Sequence, residues 1–69
     1  MKNLPVDSRI IQNVYFSKED GQLWIRFKNG EERRFTGVPE DAAQAMCSAN
    51  SPGQHYIEFI RTQFKRVAA

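Results

Sequence analysis

One cysteine, Cys47, and one histidine, His55, are all the chain has of the side chains most used to hold transition metals. No internal disulfide is possible, and a zinc site lacks its ligands. Four scattered glycines form no phosphate-cradling loop. No run approaches the roughly 20 apolar residues of a membrane span. Lys2, Pro5, Asp7 and Arg9 interrupt the N-terminal segment, so it has no apolar stretch resembling a secretory leader. An excess of one charge is missing too: ten Lys and Arg against eight Asp and Glu leave +2, too slight to require a nucleic-acid or membrane partner. These absences fit a reducing cytoplasm and a protein without metal, cofactor or membrane attachment.

What is present suffices for one core. At 69 residues the chain accommodates a single domain, 1–69, and such a domain buries only about 60% of the surface its unfolded form exposes. Stability is therefore slender, and each large apolar residue matters. Apolar residues at 41% with charged residues at 26% are too rich in large side chains for disorder. A deep, water-excluding catalytic pocket is hard to build at this size.

Turn signals divide the chain into short elements. Leu4-Pro5-Val6 reads as an extended lead-in that Pro5 keeps at a sheet edge. Ile11 to Phe16 forms a first strand, ended by the polar Ser17-Lys18-Glu19-Asp20-Gly21 turn. From Gln22 to Phe27, Leu23, Ile25 and Phe27 alternate with Trp24 and Arg26, the period of a sheet covered on one face. Asn29-Gly30 then returns the chain into a third strand, Glu31 to Thr36.

The register of that hairpin decides which side chains meet water. A two-residue loop sets Phe27 opposite Glu32 and Ile25 opposite Arg34, with charges against the core. A three-residue loop with Gly30 as a bulge sets Leu23 opposite Phe35 and turns Arg34 outward. Burying a Phe is worth roughly 1.5 to 3 kcal/mol, more than the turn preference, so the bulged register is favoured.

Helical signals follow. Pro39 suits a first helical turn, Val38, Ala42, Ala45, Met46 and Ala49 recur at helical spacing, and Glu40 and Asp41 sit at the positive N-terminal end. Ser51-Pro52-Gly53-Gln54 has the form of a capping box opening a second helix, with Tyr56, Phe59, Ile60 and Phe64 as its apolar stripe and Arg61 and Lys65 near its C-terminal end. The expected architecture is α+β: a three-stranded antiparallel meander with two helices packed on one face.

Val6, Ser8, Ile11, Val14 and Phe16, then Leu23-x-Ile25-x-Phe27-Lys28-Asn29-Gly30, Gly37-Val38-Pro39, Ser51-x-Gly53 and Ile60-Arg61 together resemble the KTSC domain family. That family occurs as single-domain bacterial proteins and at the C-terminus of some lysyl-tRNA synthetases; its role is unsettled, with RNA binding suggested. The resemblance implies a small accessory domain without established catalytic residues. Two positions depart from the pattern. Arg33 replaces the first residue of a central Tyr-x-Tyr, leaving Phe35 as its aromatic partner, and Ile57 stands where Asn is common. No role that needs that hydroxyl or amide carries over.

On the bulged register the uncovered face carries Trp24, Arg26, Glu32 and Arg34, joined by Tyr15 from the first strand. An aromatic flanked by guanidinium groups stacks bases and neutralises phosphates in sheet-based readers of single-stranded nucleic acid. The same residues also make good structural pairs, Trp24 with Arg34 and Arg26 with Glu32. Arg61, Lys65 and Arg66, the only charged residues after position 60, extend the candidate set, although helix-dipole complementation accounts for cations at a helix end equally well. The competing role for the exposed face is protein interaction or homodimerisation, since Trp and Arg are common interface anchors. Cys47 and His55, eight positions apart, evoke a Cys-His pair but lack an orienting third group. The scattered carboxylates fit solvation and capping. A non-catalytic binding module is the expected function.

Overall fold

The computed structural model describes residues 1–67. Five antiparallel strands lie in chain order: β1 (Lys2–Leu4), β2 (Ile11–Ser17), β3 (Gln22–Phe27), β4 (Glu32–Thr36) and β5 (Lys65–Val67). Between β4 and β5 the chain forms α1 (Glu40–Ser48) and then α2 (Pro52–His55), which continues into a π-helical turn, Tyr56–Ile60. The class is α+β as expected, but the sheet has five strands rather than three. The three central strands carry the legible alternation, whereas β1 and β5 are three residues each and are defined by the backbone groups they pair at the sheet edges.

The β3–β4 hairpin adopts the bulged register. Leu23 faces Phe35, Trp24 faces Arg34 and Arg26 faces Glu32. The Phe27 N–H donates to Glu31 O at 2.8 Å, Gly30 N–H to Phe27 O at 3.0 Å, and Asn29 Oδ1 accepts from Glu31 N–H at 3.0 Å. Gly30 has φ +93°, a conformation that costs a glycine little and other residues more. An irregularity between Ile11 and Asn13 leaves Gln12 unpaired and restores the inward phase of Ile11.

Alternation then sorts the sheet into two faces. Leu4, Val14, Phe16, Leu23, Ile25 and Phe35 point to one side and are buried. The helical layer covers them with Ala43 and Met46 from α1 and with Tyr56 and Ile60 from the π turn. Gly53 is buried where α2 meets the segment before β2; a Cβ there would stand 2.5 Å from Ile10 Cδ1.

Several local expectations are corrected. Pro39 is the N-cap of α1 rather than part of it, and Ala45 is exposed while Ala43 is buried. Ser51 precedes Pro52 at the first helical position as expected, yet its side chain makes no capping hydrogen bond, and Gln54 Nε2 donates to Glu58 Oε1 at 3.0 Å instead of reaching back. Phe59 is 47% exposed and lies against His55 rather than in the core. Lys65 is not near a helix end: helical winding stops at Ile60, and Lys65 and Arg66 belong to β5.

Candidate nucleic-acid interface

The sheet face opposite the helices is built from the outward half of each strand's alternation. Its centre is one transverse row. Asn3, Tyr15, Trp24, Arg34 and Val67 are successive cross-strand partners from β1 to β5, and directly opposed residues on neighbouring strands share a face. The Tyr15 and Trp24 rings lie 5.8 Å apart, tilted by 53°. On the other flank of Trp24, the Arg34 guanidinium carbon stands 4.3 Å from the ring centroid, a close cation–π contact. Both expected pairings of the sequence are therefore present: Arg26 Nε also lies 3.9 Å from Glu32 Oε2.

Beside this row is a hollow of about 360 Å³ lined by Met1, Tyr15, Trp24, Arg26 and Glu32. The indole N–H of Trp24 is covered and finds no acceptor among the described residues. An orphaned donor of this kind costs about 1–3 kcal/mol.

The remaining basic candidates divide between the two faces. Lys65 pairs with Thr36 and so belongs to the open face with Arg34. Arg66 pairs with Phe35 and belongs to the opposite, helix-bearing face. There Arg61 and Arg66 line a groove of about 370 Å³ with Tyr56 and Arg33. Of the six expected site residues, four share the open face and two do not. Arg33 was missed by the sequence pattern because it occupies an inward position of β4, opposite Ile25. Its signal is the charge itself: an arginine in the phase of the core must reach an opening at the rim.

Arg33 is 28% exposed and is held by Glu31 Oε2 at 3.2 Å and by the Glu32 carbonyl at 2.8 Å. Tyr56 packs edge-on against Phe27 and Phe35, with ring centroids 5.3 and 5.8 Å apart. Burial pushes its phenol above the usual range, against the pull of Arg33, Arg61 and Arg66, and Glu31 adds to the rise.

Burial pushes the Cys47 thiol up, the reverse of what an activated nucleophile needs. The His55 ring lies 4.7 Å from that of Phe59. Among the described residues no group of three or more His, Cys, Asp or Glu is placed to hold a metal ion, and no helix is long and apolar enough to cross a membrane.

Residues 7–64 match the family model described as the KTSC domain. The chain belongs to the KTSC domain family. A KTSC domain protein from Yersinia pestis, solved by crystallography, is similar to it with a TM-score of 0.85 at 28% identity, covering 99% of this chain and 96% of that one. An uncharacterized protein of Stutzerimonas stutzeri is 27% identical over 66 residues, 96% of this chain and 93% of the relative. Within the KTSC pattern the two positions of the central aromatic motif fall on the inward side of β4. Phe35 fills the core, whereas Arg33 turns toward the groove rim.

Proposed function

We propose that this KTSC domain is a non-catalytic module that binds single-stranded RNA across its open sheet face. The observation that carries this reading is the row Tyr15, Trp24 and Arg34, two half-buried aromatic rings and an exposed planar guanidinium in contact on the face opposite the helical layer. Aromatic rings and guanidinium planes are both surfaces on which unpaired bases stack, at about 1–3 kcal/mol per base. Arg26 and Lys65 flank the row and supply charge for the phosphates between stacked bases. The face is narrow and only modestly cationic, which favours a few flexible nucleotides over a rigid duplex.

Fluorescence anisotropy with a labelled mixed-sequence RNA at several salt concentrations tests the proposal. Saturable binding is expected, with log affinity falling against log salt with a slope of about −2, as expected for some three phosphate contacts to a single strand. Arg34→Glu is expected to weaken binding at least about tenfold by replacing a stacked cation with an anion. Salt-insensitive or absent retention removes the proposal. Self-association or capture of a protein through Trp24, without RNA retention, would instead favour a protein-interaction module on the same face.

A further inference from the structure

The groove on the helix-bearing side has a composition that folding alone does not account for. Arg33 from β4, Arg61 from the end of the π turn and Arg66 from β5 line it, and among the described residues Glu31 is the one acidic side chain there. Glu31 is already spent on Arg33. Among the described residues, neither Arg61 nor Arg66 forms an ion pair. The negative end of the preceding helical segment accounts for Arg61. Among the described residues nothing comparable accounts for Arg66, whose strand neighbour is the apolar Phe35.

The backbone gathers these charges by specific means. The Arg61 N–H donates to Tyr56 O at 2.8 Å, a bond across five residues that sets Arg61 over Tyr56 in the helical winding. Such π turns recur at functional sites. The β4–β5 ladder brings Arg66 beside Phe35, two residues along the same face from Arg33. Three guanidinium groups from β4, the end of the π turn and β5 thereby line one groove with the Tyr56 phenol. The floor between them is aromatic, from Phe27, Phe35 and Tyr56, and the outer wall is aliphatic, from the exposed Ile10 and Ile57.

We infer that this groove is a binding site for a phosphate monoester, held by Arg61, Arg66 and Tyr56 with Arg33 as a fixed cation and with its organic group against Ile10 and Ile57. The guanidinium groups of Arg61 and Arg66, neither in an ion pair among the described residues, match a phosphate dianion in charge, and their planar forks fit its oxygens. The volume of about 370 Å³ lies within the range of small-ligand sites, about 300–1,000 Å³. The site is on the far side of the sheet from the Trp24 row and does not rest on RNA binding there.

Backbone amide shifts of the intact chain, titrated at constant ionic strength with phenyl phosphate and separately with a 5′-phosphorylated oligoribonucleotide, test the site. Saturable shifts at Arg33, Tyr56, Arg61 and Arg66 are expected with phenyl phosphate, and with the oligoribonucleotide only if its 5′-phosphate is present when the natural source is an RNA end. Arg66→Ala and Arg61→Ala, both exposed positions at which the amide dispersion should persist, are each expected to weaken phenyl phosphate binding about tenfold, the loss of one charge-assisted contact. Trp24→Ala is expected to leave it within about twofold, since the two sites share no contact. Shifts that follow ionic strength alone, or an affinity indifferent to both arginine variants, would overturn the assignment.

Discussion

The two faces of the sheet both set arginine beside aromatic rings, yet they dispose of the charge differently. On the open face Arg34 lies on Trp24 and Arg26 approaches Glu32, so both guanidinium groups of the aromatic row have a partner within the fold. In the groove Arg33 is paired with Glu31 and held at its rim, while Arg61 and Arg66 have no ion-pair partner among the described residues. The contrast separates two chemistries that a list of basic and aromatic residues would merge. Paired cations on a flat row offer stacking surface with modest charge. Unpaired cations around a recess offer charge with little flat surface.

The contrast depends on Phe35, whose ring holds β4 in the phase that sends Arg34 outward and Arg33 toward the groove. Phe35→Ala is expected to cost about 3–5 kcal/mol by removing a fully buried ring. For a domain this small that approaches the whole stability, so urea or thermal melting should show a largely unfolded chain and neither face should bind. A variant that melts like the parent would break the account of how the faces are separated.

A smaller change sharpens the comparison from the groove side. Glu31→Gln frees Arg33 from its 3.2 Å ion pair and removes the one acidic side chain among the groove's described lining residues. A charge removed at this range in a solvent-exposed setting is worth about 1 kcal/mol, so phenyl phosphate should bind about fivefold more tightly while RNA retention on the open face stays unchanged. Equal gains at both faces would mean that they respond only to net charge.

On the open face, Trp24→Phe deletes the orphaned indole N–H but keeps an aromatic ring beside Tyr15 and Arg34. Recovery of the unsatisfied donor offsets the weaker cation–π contact, so stability should change by less than about 1 kcal/mol. RNA affinity should fall because the smaller ring offers less stacking surface. Melting curves and anisotropy on the same variant separate the two effects.

The weakest expected effect concerns pH. The Cys47 thiol is raised by burial, so the folded chain keeps that proton to higher pH than the unfolded chain, whose thiol ionises near about 8.5. Below that value the group contributes no pH dependence. Stability falls as pH rises through it, and urea midpoints at about pH 7 and about pH 9.5 should differ less in Cys47→Ala than in the parent.

Much of this arrangement was legible in the chain. Alternation from Leu23 to Phe27 and the Asn29-Gly30 turn fixed the inward phase of Phe35 and the Trp24–Arg34 and Arg26–Glu32 pairs, because a one-residue slip would expose the apolar set. The edge strands were not legible. Lys2–Leu4 and Lys65–Val67 are too short to show a period, and they exist because β2 and β4 have backbone groups to satisfy. That omission scattered the basic residues wrongly: Lys65 and Arg66 looked like helix-end cations, whereas a strand sends them to opposite faces. Arg33 escaped notice because local pattern assigns its position to the core, and only the helical layer's limit at Tyr56 shows where the core stops.

Trp24 is the only tryptophan in the chain, so its emission reports on the open face without any label. Titration with an unlabelled single-stranded RNA at low salt should quench that fluorescence saturably, and added salt should restore it. Emission that stays constant while RNA binds elsewhere, or while no RNA binds at all, would contradict the stacking row as the working surface of the domain.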